Sequence, residues 1–364
     1  MMAYTYAGYP LWLWLRSRLR PRPVLRAPQS PCISVVMVVR NEEKVIEAKL
    51  ENLLNLDYLE DCCQIVVVSD GSADATDSIL RKYAENPRVQ VLMNQLSRGK
   101  ASGLNDAIAM CSGDVVVFTD ARQQIEPAAV RLLVENFADP EVGCVSGELM
   151  LGDLDRGETG RGMGLYWRLE KKIRELESAS GSVVGATGAF YAVRRELLVP
   201  LPEGTILDDV YIPMQVVRQG KRVVFEPRAR AWDRPNLGAG REYARKVRTL
   251  SGNYQLLQLA PWLLGASNGI RFEFVSHKLL RLVMPFALVA ILWAAFQIPG
   301  PFYRIALIAQ LAFYGLSALA AVKLLKHGPL ARAADAAHTF VLLNTAAVVA
   351  FVHFVTRRKA AWTR

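Results

Sequence analysis

Three long stretches without a single charge constrain this 364-residue chain more than anything else in it. Leu282–Tyr303 is uncharged, Ile305–Val322 is uncharged again after Arg304, and Ala336–Thr356 is the third. Each approaches the ~20 apolar residues that cross a bilayer core. Helices on the surface of a soluble protein keep a polar stripe, and these keep almost none. The C-terminal quarter therefore reads as membrane-embedded. Apolar residues make up 52% of the chain and the mean hydropathy is +0.16, which excludes a disordered polymer.

The N-terminal segment Met1–Leu15 is uncharged and aromatic, with Tyr4, Tyr6, Tyr9, Trp12 and Trp14; Arg16, Arg18, Arg20, Arg22 and Arg26 follow. A cleavable signal peptide would begin with its basic residues. The segment reads either as the end of a spanning helix or as an interfacial piece with a Trp/Tyr belt. The arginines suit an anionic, cytoplasmic lipid face, and Pro21, Pro23, Pro28 and Pro31 make a stiff linker. Much of the net charge of +10 thus has a membrane explanation, and no nucleic-acid-binding motif accompanies it. The chain divides into a membrane-associated segment with its linker (1–31), a cytoplasmic domain (32–255), an interfacial amphipathic segment (256–280), and transmembrane helices with a basic tail (281–364). All five cysteines (32, 62, 63, 111 and 144) fall in the second part without a CxxC pair, so neither a disulfide framework nor thiol chemistry is expected.

Within that domain, Ile33–Val39, Gln64–Val68, Val89–Met93 and Asp114–Phe118 are short β-branched runs. Helical stretches alternate with them, about Glu43–Leu56, Ala75–Glu85, Ala101–Met110 and Pro127–Phe137. Fully apolar strands alternating with helices predict an α/β fold with a doubly wound, mostly parallel sheet. Such sheets bind ligands outside the carboxyl ends of their strands.

The loops at those ends are Arg40-Asn41-Glu42-Glu43, Ser69–Thr76, Ser97-Arg98-Gly99-Lys100 and Thr119-Asp120-Ala121-Arg122. Part of this is turn and helix-cap chemistry, with Asp74 or Thr76 as caps. No G-x-G-x-x-G and no P-loop motif is present, so a dinucleotide site and a P-loop are unsupported. Strand-end carboxylates with one lysine suggest instead a nucleotide diphosphate bound through a divalent cation.

The segments SVVMVVRNEE, VVVSDGSADAT, LSRGKASGLNDAI, GDVVVFTDA, GATGAFYAVRREL and ILDDVYIPMQVVRQGKRVVFEP occur in this order, and together they resemble a membrane-associated family 2 glycosyltransferase of the inverting, polysaccharide-synthase-like kind. The resemblance implies a glycosyltransferase A-type fold. It implies that Asp70 reads the nucleotide base, that Asp120 is the first acid of the D-x-D element and holds Mg2+ or Mn2+, and that Asp209 is the general base beside Asp208. Asn41, Glu43 and Lys100 are implied neighbours of the nucleotide sugar, and the segment Gly185–Tyr191, with Gly188, Ala189 and Phe190, is the implied acceptor-side loop. The implied partners are a nucleotide-sugar donor, a glycan or lipid-linked acceptor, and the bilayer of the cell (inner) membrane.

The chain departs from the family pattern twice. Arg122 replaces the second D-x-D acid. Arg245-Lys246-Val247-Arg248-Thr249 stands where processive synthases carry Q-x-x-R-W, without its Gln and Trp. Arg245 and Arg248 are three apart on a helix, placed either to face the leaving diphosphate or to lie against anionic headgroups. The missing Trp favours transfer of one or a few sugars over a processive polysaccharide synthase, and Arg122 leaves open a catalytically idle nucleotide-binding subunit. Three simple crossings would also place Arg357, Arg358, Lys359 and Arg364 outside, against the positive-inside rule. One apolar segment is then re-entrant or interfacial, and the last one, with His338, Asn344 and His353, is the candidate.

Overall fold

The computed structural model describes residues 1–153, 158–159, 165–233, 239–322, 324 and 328–356. Helix α1 (Tyr9–Leu19) precedes the first half of the domain: β1 (Ile33–Val39), α2 (Ile46–Leu54), β2 (Cys63–Asp70), α3 (Thr76–Tyr83), β3 (Val89–Asn94), α4 (Lys100–Ala109) and β4 (Val115–Thr119). This is the strand–helix alternation expected from the sequence, with each boundary within a few residues.

The second half is less regular: β5 (Gln124–Ile125), α5 (Ala129–Val134), β6 (Val142–Asp153), β7 (Glu158–Thr159), α6 (Leu165–Ser180), β8 (Phe190–Arg194), α7 (Asp208–Arg218), β9 (Arg222–Asp233) and α8 (Ala239–Leu259). Along the sheet the strands lie in the order β3-β2-β1-β4-β8-β6-β9-β5, with β7 paired to β6. Pairings from β3 to β4 are parallel; β8 runs antiparallel to both β4 and β6, β9 is parallel to β6, and β5 is antiparallel to β9. The sheet is therefore mixed, with its parallel part at the end that carries the polar loops.

All seven residues of β1 are buried, because helices cover both faces. Ile33, Val35 and Met37 pack with Ile46, Leu50 and Leu53 of α2, whereas Val36 and Val38 pack with Ala101, Leu104 and Ala107 of α4. The α4 layer also takes in α7 and extends to Leu256, Leu263, Ile270 and Phe274. The segment expected to lie in the interface thus places part of its apolar face in the domain core, and α8 runs past residue 255 without a break. In α6, Ile173 and Leu176 pack against Tyr9 and Leu13 of α1.

Helix α9 (Arg271–Phe274) and a π-helical turn, Val275–Leu279, lead into α10 (Leu280–Gln297), α11 (Pro301–Ala321) and α12 (Pro329–Val355). Three helical stretches, Arg271–Gln297, Pro301–Ala321 and Pro329–Val355, are long and apolar enough to cross a membrane. The C-terminal half of α12 packs on the domain, where Ala346 and Ala350 meet Val247 of α8. Tyr254 of α8 lies 5.7 Å from Phe351 and 5.4 Å from Phe354, and Phe351 lies 5.1 Å from Phe286 near the start of α10. The end of α12 and the start of α10 therefore border the same domain face, an arrangement that suits the basic tail. A topology reporter fused after Thr356 is expected to lie on the same side of the membrane as the α/β domain; a reporter on the opposite side would mean that α12 crosses after all.

Candidate active site

The carboxyl ends of β2 and β4, the start of α4 and the start of α7 meet in one place. Asp70, the last residue of β2, is fully buried. Its carboxylate accepts hydrogen bonds from Ser97 Oγ at 2.7 Å, Arg98 N at 2.8 Å and Gly99 N at 2.9 Å. Three donors satisfy a charge that would otherwise be costly to bury. Gly99 adopts φ +91°, a left-handed conformation that turns the chain from the loop into α4 at little cost for glycine alone.

The next residue, Lys100, joins two carboxylates. Its Nζ lies 3.1 Å from Asp120 Oδ1 and 3.3 Å from Asp208 Oδ2. Burial alone would lower its pKa, but Asp120 and Asp208 outweigh burial and hold the ammonium above its ordinary range. Asp208 is buried, and it opens α7 by pairing with Lys100 instead of capping the helix.

Asp209 follows in the first turn of α7. Burial and the neighbouring Asp208 charge push its carboxyl up to about 6, against the opposing pull of Lys100, Lys278 and Arg174. Asp209 O accepts the Ala186 N–H at 2.7 Å, which ties the Gly185–Ala189 loop to α7. A Cβ on Gly188 would stand 2.8 Å from Asp209 Oδ2, so only glycine leaves this carboxylate its position.

Not every expected residue joins this cluster. Asn41 Oδ1 accepts Ala73 N at 2.8 Å and Glu43 Oε2 accepts Ala75 N at 3.1 Å. Both side chains therefore bond the β1 loop to the β2 loop. Phe190 is corrected outright: it starts β8 and its ring is fully buried in the α2-side core, so it cannot touch an acceptor. Strand alternation sends it inward, and of the three loop residues only Gly188 and Ala189 precede the strand. Arg122 is exposed, and no bond or ion pair engages it among the described residues. Arg245 and Arg248 share a face of α8 with Gly252, which packs against Ile206 and Leu207 just before Asp208. The opposite face, with Val247, packs on α12.

Lys49 and Arg174 enter the neighbourhood without a sequence signal of their own, and Tyr191 enters it as the end of the expected Gly185–Tyr191 segment. Lys49, buried in α2, donates to Thr119 Oγ1 at 2.9 Å and Gln123 O at 2.6 Å beneath Asp120; burial lowers its pKa to about 7. Tyr191 stacks on Phe118 at 4.7 Å, and its buried hydroxyl has no hydrogen-bond partner among the described residues. Arg174 of α6 donates to Thr187 Oγ1 at 2.6 Å within the Gly185–Ala189 loop. The nearest thing to a hint is the stripe of Glu170, Arg174 and Glu177 along one face of α6.

No trio of potential metal-ligating side chains converges among the described residues. A hard cation such as Mg2+ keeps several waters and takes one or two carboxylates beside substrate phosphates. The open carboxylate of Asp120, 41% exposed, fits that requirement.

Residues 34–199 match the sequence profile of "Glycosyl transferase family 2". Among curated relatives, the poly-beta-1,6-N-acetyl-D-glucosamine synthase of Staphylococcus aureus (strain COL) is 27% identical over 254 residues, covering 67% of this chain and 60% of the relative. Its counterpart from Staphylococcus epidermidis is 24% identical over 241 residues, covering 63% and 56%. The chain thus spans only part, up to 60%, of the length of these relatives. Among solved structures, a mannosyltransferase from Pyrobaculum calidifontis in complex with GDP-Man and Mn2+ has a TM-score of 0.74 at 24% identity, over 98% of this chain and 97% of that one. The fold is the glycosyltransferase A-type mixed sheet. The chain carries a family 2 glycosyltransferase domain and is related to polysaccharide synthases.

Replacing Lys100 by Met strands the buried Asp208 carboxylate. Loss of one partner of such a pair costs about 3–5 kcal/mol. Lys100→Met is therefore expected to lower the thermal midpoint in detergent by several degrees, and adding Asp208→Asn to recover most of the loss; an unchanged midpoint in the single variant would show the pair to be dispensable.

Proposed function

We propose that this chain is a membrane-bound inverting glycosyltransferase that moves a sugar from a nucleotide diphosphate sugar, a UDP-sugar, to a glycan or lipid-linked acceptor. The catalytic domain faces the cytoplasm at the cell (inner) membrane. The observation that carries the reading is the Lys100 bridge between Asp120 and Asp208, with Asp209 beside it, at the carboxyl ends of the parallel strands.

In this reading the nucleotide lies over the β1 and β2 loops, and Asp70, expected to read the base itself, is buried and instead fixes, through Ser97, Arg98 and Gly99, the loop that does so. Mg2+ or Mn2+ bound by Asp120 supplies neutralisation of the leaving diphosphate. Arg245 and Arg248 lend further positive charge from α8. Asp209 takes the proton of the acceptor hydroxyl while that oxygen attacks the anomeric carbon in line with the departing group. Inverting transfer needs one base and no second carboxylic acid, because the diphosphate leaves as an anion. A carboxyl raised to about 6 is still ionised at neutral pH, yet more basic than an ordinary aspartate. Gly188 keeps the space in which that carboxylate and the acceptor meet.

A second reading, repeated addition to a growing polymer, is favoured by the relatives, which are named as polysaccharide synthases. The Arg245–Thr249 segment, without Gln or Trp, speaks for short products. Product length by mass spectrometry separates the two.

The central test is nucleoside diphosphate release by the full chain in lipid, across a panel of nucleotide sugars with and without Mg2+ or Mn2+. The expected result is metal-dependent release with one donor. Asp209→Asn should lower turnover about 10²–10⁴-fold, the range of a lost general base, with nucleotide affinity retained. Because the Asp209 carboxyl is raised, kcat/KM should be full above pH 7 and fall about tenfold per unit below the pKa of about 6. Wild-type release unaffected by Asp209→Asn would sink the base assignment, and no nucleotide binding at all would sink the transferase reading.

A further inference from the structure

Cations gather where the catalytic domain meets the first apolar helix, and most of them are paired. Lys171 lies 2.6 Å from Glu148, Arg281 pairs with Glu170, and Arg16 pairs with Glu273. Two are not. Among the described residues, Arg174 has no carboxylate at ion-pair distance and bonds only Thr187, and Lys278 makes neither a hydrogen bond nor an ion pair. Both are half-buried, and both lie in the electrostatic field of Glu170, which Arg281 already pairs, and of Asp209. Two like charges held together beside the acceptor-side loop repel each other and gain from an anion placed between them.

A second feature continues from this point into the apolar helices. A cavity of about 650 Å³ opens between α10, α11 and α12, lined by Leu288, Ile291, Phe313 and Phe340 among others. That volume matches small-molecule sites. Leu288 stands ten residues beyond Lys278 on a continuous helical stretch, about 15 Å at 1.5 Å per residue. From the other side, Tyr6 lies 5.5 Å from Phe340 and within electrostatic reach of Arg281 and Glu170. Lys278 thus stands at the domain end of the helical stretch that lines the cavity with Leu288 and Ile291.

We infer that the acceptor is a hydroxyl-bearing lipid with a phosphate in its headgroup, the phosphate held between Arg174 and Lys278, the hydroxyl facing Asp209, and the chain lying in the cavity between α10, α11 and α12. The inference rests on the reading of Asp209 as the base. In the transfer, the lipid hydroxyl oxygen forms the new bond to the anomeric carbon and its proton passes to Asp209. The bond from that carbon to the diphosphate oxygen breaks with its electron pair, and the nucleoside diphosphate departs. A soluble phosphate ester shares the headgroup chemistry but has nothing to place in the cavity.

The test uses the full chain in phosphatidylcholine nanodiscs, photolabelled with diazirine-bearing phosphatidylglycerol or with the matching diacylglycerol, which keeps the hydroxyl and chains but lacks the phosphate. UDP binding is measured alongside. Labelling near Leu288 and Phe340 is expected to be about tenfold stronger with phosphatidylglycerol, the worth of a charge-assisted contact. Lys278→Gln should abolish that preference, Lys278→Arg should keep it, and Leu288→Trp should remove the label from the cavity, all with UDP binding unchanged. Equal labelling by diacylglycerol overturns the inference, as does a preference that survives Lys278→Gln combined with Arg174→Gln. Displacement of the lipid by equimolar glycerol 3-phosphate overturns it too, because the headgroup would then bind without the chain. A wild-type chain that shows the lipid preference without binding UDP supports the lipid site while sinking the transferase reading.

Discussion

A single ammonium holds the catalytic end of this sheet together. Lys100 Nζ sits between Asp120 and Asp208, and so joins the start of α4, the end of β4 and the start of α7 across 20 and 108 residues of sequence. Carboxylates drawn this close repel, and taking them from water is expensive unless a cation shares them. Lys100 compensates two of the three directly. Asp209 is left with burial and the Asp208 charge working against its ionisation, and these are the conditions that make a carboxylate a better base. The same arrangement that makes the fold tolerate Asp208 therefore prepares Asp209.

The two halves of the sheet differ in how plainly the sequence announces them, and packing explains the difference. β1, β2 and β4 lie in the parallel half with helices on both faces, so each reads as an unbroken apolar run. β6 and β9 are longer, and they carry Gly143, Gly147, Glu148, Glu226, Pro227, Arg228 and Arg230 among their apolar residues. Their register shifts between Ser146 and Glu148, where a bulge interrupts the pairing. Neither strand shows a clean alternation or a clean apolar run, and periodicity alone passes over both. β8 is hidden for another reason: its five residues continue directly from the Gly185–Ala189 loop with no turn residue between, so Phe190 reads as part of that loop.

Within the site, legibility follows distance along the chain from a strand end. Asp70, Lys100 and Asp120 stand in polar loops that close apolar strands, so the amino-acid pattern alone marks them as candidates to face a ligand. Lys49 and Arg174 lie inside helices whose patterns read as ordinary amphipathic surfaces, and only the tertiary fold brings them beneath Asp120 and against Thr187. Lys278 stands in a π-helical turn at the entrance to the apolar segment, where a lone lysine reads as an interfacial anchor. A mid-helix charge has no local signature, because what distinguishes it is the set of neighbours that the tertiary fold brings to it.

The acceptor side of the site is joined to the membrane-facing segments by a buried polar network. Tyr9 of α1 donates to Glu177 of α6 at 2.6 Å, His277 lies against Glu177 and Glu170, and Arg281 at the start of α10 pairs with Glu170. Buried polar groups that pair with one another rigidify the elements that contribute them. Here the network fixes α1, α6 and the entrance of α10 as one unit, and α6 in turn carries Arg174 to the loop that faces Asp209. A catalytic domain tethered only by a flexible linker would present its acceptor side at varying depth and angle to the bilayer. This chain instead sets Asp209, the Gly185–Ala189 loop and the first apolar helix in one fixed relation, as the proposed transfer to an acceptor from the membrane requires.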